Sequence, residues 1–163
     1  MAETNPEKHL YELLRGFDTA MVVTRSTDGA MHARPMAVVE LRASADAYFV
    51  TSIDSPKMSE IDADATVTLT FQDSSRYAYV AGRVAVVRDR ALIDKFWKPA
   101  WKVWFPKGRD DPAITLLKFD AAYGQYWDNT WTQGLKYLFR AAKAYMNDET
   151  PATDERQNAK VSL

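Results

Sequence analysis

Cysteine is absent from the 163-residue chain, which excludes disulfides, thiolate catalysis and cysteine-held zinc or iron–sulfur centres. Histidine is nearly absent: His9 and His32 are the only two, too few for a histidine-rich metal centre, so no metal site is expected. Neither sign of charge prevails, with 21 basic against 22 acidic residues and a formal net charge of −1. The basic footprint of a nucleic-acid or anionic-membrane binder is therefore missing. Apolar runs stop after a few residues, far short of a membrane span. The polar start, with Glu3, Glu7 and Lys8, does not read as a signal peptide. A cytoplasmic protein with no nucleic-acid and no membrane partner is the expectation. No glycine-rich dinucleotide fingerprint, phosphate loop or nucleophile elbow occurs, and no catalytic residue is nominated.

What the chain does hold is apolar and aromatic. Hydrophobic residues make up 47% of it, enough for a real core, and five Trp, eight Tyr and seven Phe stand out for this length. These rings suit a core and a dimer interface, or a platform for a flat aromatic ligand.

Thr4-Asn5-Pro6-Glu7 reads as a capping box, with Thr4 as the cap and Pro6 in the first turn. Leu10, Leu13, Leu14 and Phe17 then fall on one helical face, and Gly16 can end the helix. Strands follow at Thr19–Arg25 and 30–41, joined through Asp28-Gly29, and at 46–53. Ser55-Pro56 reads as a helix start capped by Ser55. Thr66–Phe71 alternates as a half-buried strand, and 77–88 carries Gly82 as the mark of a bulge or a close backbone approach. Pro99 splits the helical pattern of 91–105 into two short helices meeting near Lys98. Strand character resumes at 114–119 and 123–128, and 134–146 reads as a closing helix. Residues 147–163 read as a polar, flexible tail. The order predicts a mainly β, antiparallel barrel with flanking helices, since barrel closure removes exposed edges. Hairpin links disfavour a doubly wound α/β fold.

Two segments are unusual for structure alone. His32-Ala33-Arg34-Pro35-Met36 puts arginine and proline inside a strand. Proline cannot donate to the ladder, so pairing stops there and backbone groups are left for a ligand; the plain alternative is a guarded edge with Arg34 in water. Val50-Thr51-Ser52-Ile53-Asp54-Ser55-Pro56-Lys57 brings hydroxyls, a lysine and a helix start together as a phosphate cradle, the alternative being an ordinary cap. His9 reads as a solvated helix residue, and His32 as a weaker site candidate beside Arg34.

In this order the two segments, with Tyr79-Val80-Ala81-Gly82, Arg88-Asp89, Trp104-Phe105-Pro106-Lys107-Gly108, Asp111-Pro112 and Tyr126-Trp127, resemble the general stress protein group of the pyridoxamine 5′-phosphate oxidase-like, FMN-binding split barrels. The resemblance runs from about Leu10 to Trp127. It implies a split-barrel domain over residues 1–146 and a homodimer with FMN, or FAD, at its interface. It places Arg34, Pro35 and Met36 along the flavin. The phosphate run falls on Val50, Thr51, Ser52, Ser55 and Lys57, and Trp104 and Trp127 become candidates to cover the ring from the partner subunit. Departures from the true oxidase matter too. Pro56 replaces a second basic residue of the phosphate run, Val39 a substrate-contacting lysine, and Tyr77 a flavin-contacting glutamine, and no Arg-x-His element follows. Vitamin B6 oxidation is not expected. The function implied is a flavin-binding stress-response protein with, at most, weak flavin-dependent oxidoreductase activity carried by the flavin itself; a non-enzymatic flavin carrier or sensor, and a ligand-free dimeric interaction module, are the rivals.

Overall fold

The computed structural model describes residues 5–130, 142–143, 146 and 158–163. The chain runs α1 (Pro6–Leu14), β1 (Thr19–Arg25), β2 (Met31–Leu41), β3 (Ala47–Ser52), α2 (Lys57–Ala63), β4 (Thr66–Gln72), β5 (Arg76–Val87), α3 (Arg90–Phe96), a 3-10 helix (Pro99–Val103), β6 (Ile114–Asp128) and β7 (Asn158–Ser162). The strands lie in the order β3-β2-β1-β4-β5-β6-β7, and β3 also pairs with β6. That last pairing closes six antiparallel strands into a barrel, with β7 added outside. The antiparallel barrel with flanking helices is thus the observed architecture. Among the described residues no helix is long and apolar enough to cross a membrane.

Local chemistry explains most element boundaries. The side chain of Asn5, not Thr4, caps α1 by accepting from the backbone N–H groups of Glu7 and Lys8. Leu10, Leu13 and Leu14 are the buried face of this helix, each burial worth about 1.5–3 kcal/mol against exposure. The β1–β2 hairpin turns at Gly29, whose φ of 88° suits a residue without Cβ. The expected pair of short helices around Lys98 forms as α3 and the 3-10 helix.

Four further readings need correction. Ser55 does not cap α2: the cap position is Pro56, with no side-chain hydrogen bond, and the seven-residue helix starts at Lys57. The two late strands are one, the 15-residue β6. Its register against β5 steps from Ala81↔Tyr123 to Gly82↔Ala121; Ala122 bulges out and its carbonyl accepts from Leu163 N–H. The bulge lets one strand bend through the barrel corner where periodicity alone suggested a break. The close approach expected at Gly82 is present, since a Cβ there would lie 2.1 Å from the Asp120 carbonyl oxygen. The chain end is not wholly a loose tail: Asn158–Ser162 pairs with the second half of β6 and buries Val161. That half of β6 has no β3 partner, so β7 covers an otherwise open edge. Finally, His9 is not a solvated residue. Its Nε2 lies 2.9 Å from Asp128 and its ring stacks on Tyr126 at 4.7 Å. The expected helix at 134–146 falls outside the described residues but for three positions.

One apolar cluster fills the barrel and the underside of α1, with Phe49, Leu69, Phe119 and Tyr126 at its centre. A second, around Tyr48, Ile93, Phe96, Trp101 and Phe105, seats α3 and the 3-10 helix on β3 and the start of β6.

Candidate functional site

The first half of β2 pairs only with β1, because β3 joins β2 no earlier than Val38↔Phe49. Past that point β3 follows β6 as far as Ser52↔Ile114. The two strands part company, and Pro35 stands where the ladder is already open on one side. A cavity of about 350 Å³ occupies the split, lined by Arg34, Pro35, Met36 and Ala37 of β2, Val50, Thr51 and Ser52 of β3, Ser55, Lys57, Trp104 and Phe105. Nine of the ten residues singled out from the sequence therefore meet in one place.

The tenth does not. Trp127 lies on the far half of β6, paired with Tyr77 and Asn158, its ring 6.3 Å from that of Tyr79. Trp104, by contrast, lines the cavity of its own chain. The second apolar cluster anchors the 3-10 helix through Trp101 and Phe105, which leaves Trp104 on the rim, 62% exposed.

The cradle is built from side chains more than from a helix end. Lys57 Nζ donates to Thr51 Oγ1 at 2.7 Å and to Ser55 Oγ at 2.5 Å. None of the ion pairs formed among the described residues includes Lys57. Burial, and then the nearby Arg34 charge, hold its ammonium below the ordinary lysine value, with Glu60 pulling the other way. A half-buried ammonium beside hydroxyls and a second cation is stabilised by any anion that enters. At seven residues α2 adds little dipole to this.

Beneath the cradle sits a group the sequence did not reveal. Glu60 of α2 is 8% exposed and accepts from Thr24 Oγ1 and from Arg34 Nη2 at 3.0 Å. His32 Nδ1 lies 2.5 Å from its other oxygen; an ionised carboxylate only accepts, so the proton of this contact is on Nδ1. The Thr24 and His32 hydrogen bonds, ahead of the Arg34 contacts, hold the Glu60 carboxyl down to about 2. Arg34 also donates through Nη1 to Thr24 Oγ1 at 2.5 Å and to the Val22 carbonyl at 3.4 Å. Arg34 is thus tied inward, not left in water. His32 is outside the cavity lining and joins the site only through Glu60. A glutamate three places after Lys57 was the one visible signal, but Thr24 and Glu60 are 36 positions apart, and nothing local announces their contact.

A second cavity, of about 370 Å³, opens where Tyr79, Tyr123, Gly124, Lys160, Val161 and Ser162 meet on β5, β6 and β7. It too holds a lysine and hydroxyls, but among the described residues Lys160 makes no side-chain hydrogen bond to them like those Lys57 makes to Thr51 and Ser55.

The six strands define a small closed antiparallel barrel with a cavity at the parting of two strands. Residues 5–152 match the family model described as pyridoxamine 5′-phosphate oxidase like, and the chain belongs to that family. Its fold matches a protein from Clostridium acetobutylicum described as related to general stress protein 26, of the pyridoxinephosphate oxidase family, at 17% identity and a TM-score of 0.72, over 98% of this chain and 97% of that one. A putative general stress protein 26 from a Jannaschia species is 26% identical with a TM-score of 0.70, over 95% and 96% of the two chains. The general stress FMN/FAD binding protein of Xanthomonas citri is 27% identical with a TM-score of 0.60, over 76% and 85%. The protein bli-3 of Neurospora crassa is 27% identical over 119 residues, 66% of this chain and 57% of that protein, so the match spans little more than half of that relative.

Proposed function

We propose that the split between β2 and β3 binds a flavin through its phosphate, FMN before FAD, in a cytoplasmic stress-response protein. The observation that carries this reading is Lys57: a half-buried cation on two hydroxyls, with no acidic partner among the described residues, in a cavity that also offers apolar and aromatic wall. Lys57, Thr51 and Ser55 would hold the phosphate. Pro35, Met36 and Val50 offer flat apolar wall, and Trp104 an indole at the rim for ring stacking. The volume of about 350 Å³ is at the small end for ligand pockets, which favours a mononucleotide. The relation to a described FMN/FAD binding protein supports a flavin without favouring either form.

When bound, a flavin supplies hydride and electron chemistry of its own. The described lining residues add no carboxylate, imidazole or phenol, and Lys57 and Arg34 are its only ionisable groups. That composition favours a carrier or sensor over an enzyme with a dedicated acid or base.

A homodimer belongs to the same proposal. Register places Pro35, Met21, Thr70, Tyr79 and Gln125 side by side across the outer face of the sheet. Met21, Tyr77 and Tyr123 on this face are 37%, 40% and 54% exposed, and Pro35 also lines the cavity. A second copy on this face would cover exposed rings and close the cavity rim together.

Purified protein should show flavin absorbance, or acquire it on adding FMN, and chromatography of the released compound identifies it. A colourless protein that retains no added flavin would leave the interaction-module reading in its place.

A further inference from the structure

The cavity wall holds two cations, but they are not equivalent. Lys57 meets only hydroxyls, whereas Arg34 is already bonded to a carboxylate, a hydroxyl and a carbonyl. Three of the five N–H donors of a guanidinium are spent in this way. The carboxylate in question, on a side chain 11% exposed, is further gripped by His32 and Thr24, so it does not swing away when a ligand arrives.

We propose that Glu60 is a specificity-determining residue: an internal anion that competes with the ligand's phosphate for Arg34, so that Lys57 alone supplies the charge for a phosphomonoester and the ligand remains exchangeable. This rests on the flavin reading of the cavity. A buried Arg–Glu pair contributes little net charge to its surroundings, and an incoming phosphate meets one uncompensated cation, not two. The purely structural alternative makes Glu60 a plug for the barrel end. The two differ in what neutralising Glu60 does to affinity.

Glu60→Gln keeps an acceptor oxygen for Arg34 or Thr24 and removes the charge. Expected is FMN bound about three- to tenfold tighter, with slower dissociation, while riboflavin, which has no phosphate, is unchanged. The gain should vanish in Arg34→Gln/Glu60→Gln, which leaves no buried charge unpaired and should bind FMN within about twofold of the parent. Equal weakening of both flavins in folded Glu60→Gln would mean that the glutamate merely supports the site. If Glu60→Gln alone fails to fold, the double variant decides: a loss of FMN affinity as large as that of Lys57→Ala would show that Arg34 gives its charge to the phosphate, and the proposal falls. Lys95→Ala, on the outer side of α3, is the control for surface charge. Should the parent bind neither flavin, the flavin reading fails by itself. Inorganic phosphate, followed by phosphorus NMR in the same variants, then reads the competition for Arg34, and its tighter binding to Glu60→Gln or unchanged binding upholds or overturns the inference.

Discussion

Two cavities of nearly equal size, about 350 and 370 Å³, open on different parts of this barrel. The first sits where two strands diverge and is lined by converging hydroxyls, a half-buried lysine and an arginine. The second lies among Tyr79, Tyr123 and Gly124 and the residues Lys160, Val161 and Ser162 of β7. Volume does not tell them apart. What does is hydrogen bonding: in the first, Lys57 is joined to Thr51 and Ser55 beside Arg34, while in the second Lys160 and Ser162 share a wall with two tyrosines and no side-chain hydrogen bond joins them among the described residues. On the function proposed above, the first would take the phosphate and the second would form part of a contact surface.

The largest expected effect that tests this contrast is at Lys57. Hydrogen bonds to charged groups are worth roughly 1.5–3 kcal/mol, so Lys57→Ala should weaken FMN binding about ten- to a hundredfold by titration. Riboflavin affinity should hardly change, and added salt should weaken FMN in the parent more than in the variant. Equal losses for both flavins would move Lys57 from the phosphate to the fold.

A charge on the outer face tests the other half. Tyr123→Glu should raise the dimer dissociation constant at least about tenfold in sedimentation experiments, because a carboxylate would be buried against rings without a partner. Loss of flavin with the dimer intact would make the aromatic cavity the ligand site and reverse the assignment. Pyridoxine phosphate and pyridoxamine phosphate should not be turned over in either background, if Val39 stands, as the resemblance implies, in place of the oxidase's substrate lysine.

The smallest effect is on acid stability. Glu60 has a folded value of about 2 against an ordinary 4.5, so its contribution is fully present above about pH 4.5 and is lost as pH falls toward 2. Glu60→Gln should flatten that part of the stability curve in denaturant melts. Asp73, also held at about 2 by the backbone N–H of Ser75 and contacts with Arg76, supplies a limb that remains. A Glu60→Gln curve as steep as the parent's would place the acid sensitivity elsewhere.

By itself the sequence determined the elements whose signals are local. Alternation at Thr66–Gln72, Gly29 in the first hairpin, Pro99 between two short helices and the leucine face of α1 each follow from dihedral limits and spacing within a few residues. It also brought out eight residues of the cavity, because proline in a strand and clustered hydroxyls before a lysine are odd where they stand; Trp104 came only with the family resemblance. Tertiary structure alone decided the rest. The β3–β6 pairing that closes the barrel, the bulge at Ala122 that makes β6 one strand, and β7 on its open edge all join positions far apart in the chain. The same holds for the site: Glu60, Thr24, His32 and Arg34 come from a helix and two strands, and Trp104 and Trp127 fall on different parts of the surface. A side chain's neighbours across a sheet depend on register and closure, which no short stretch of sequence contains.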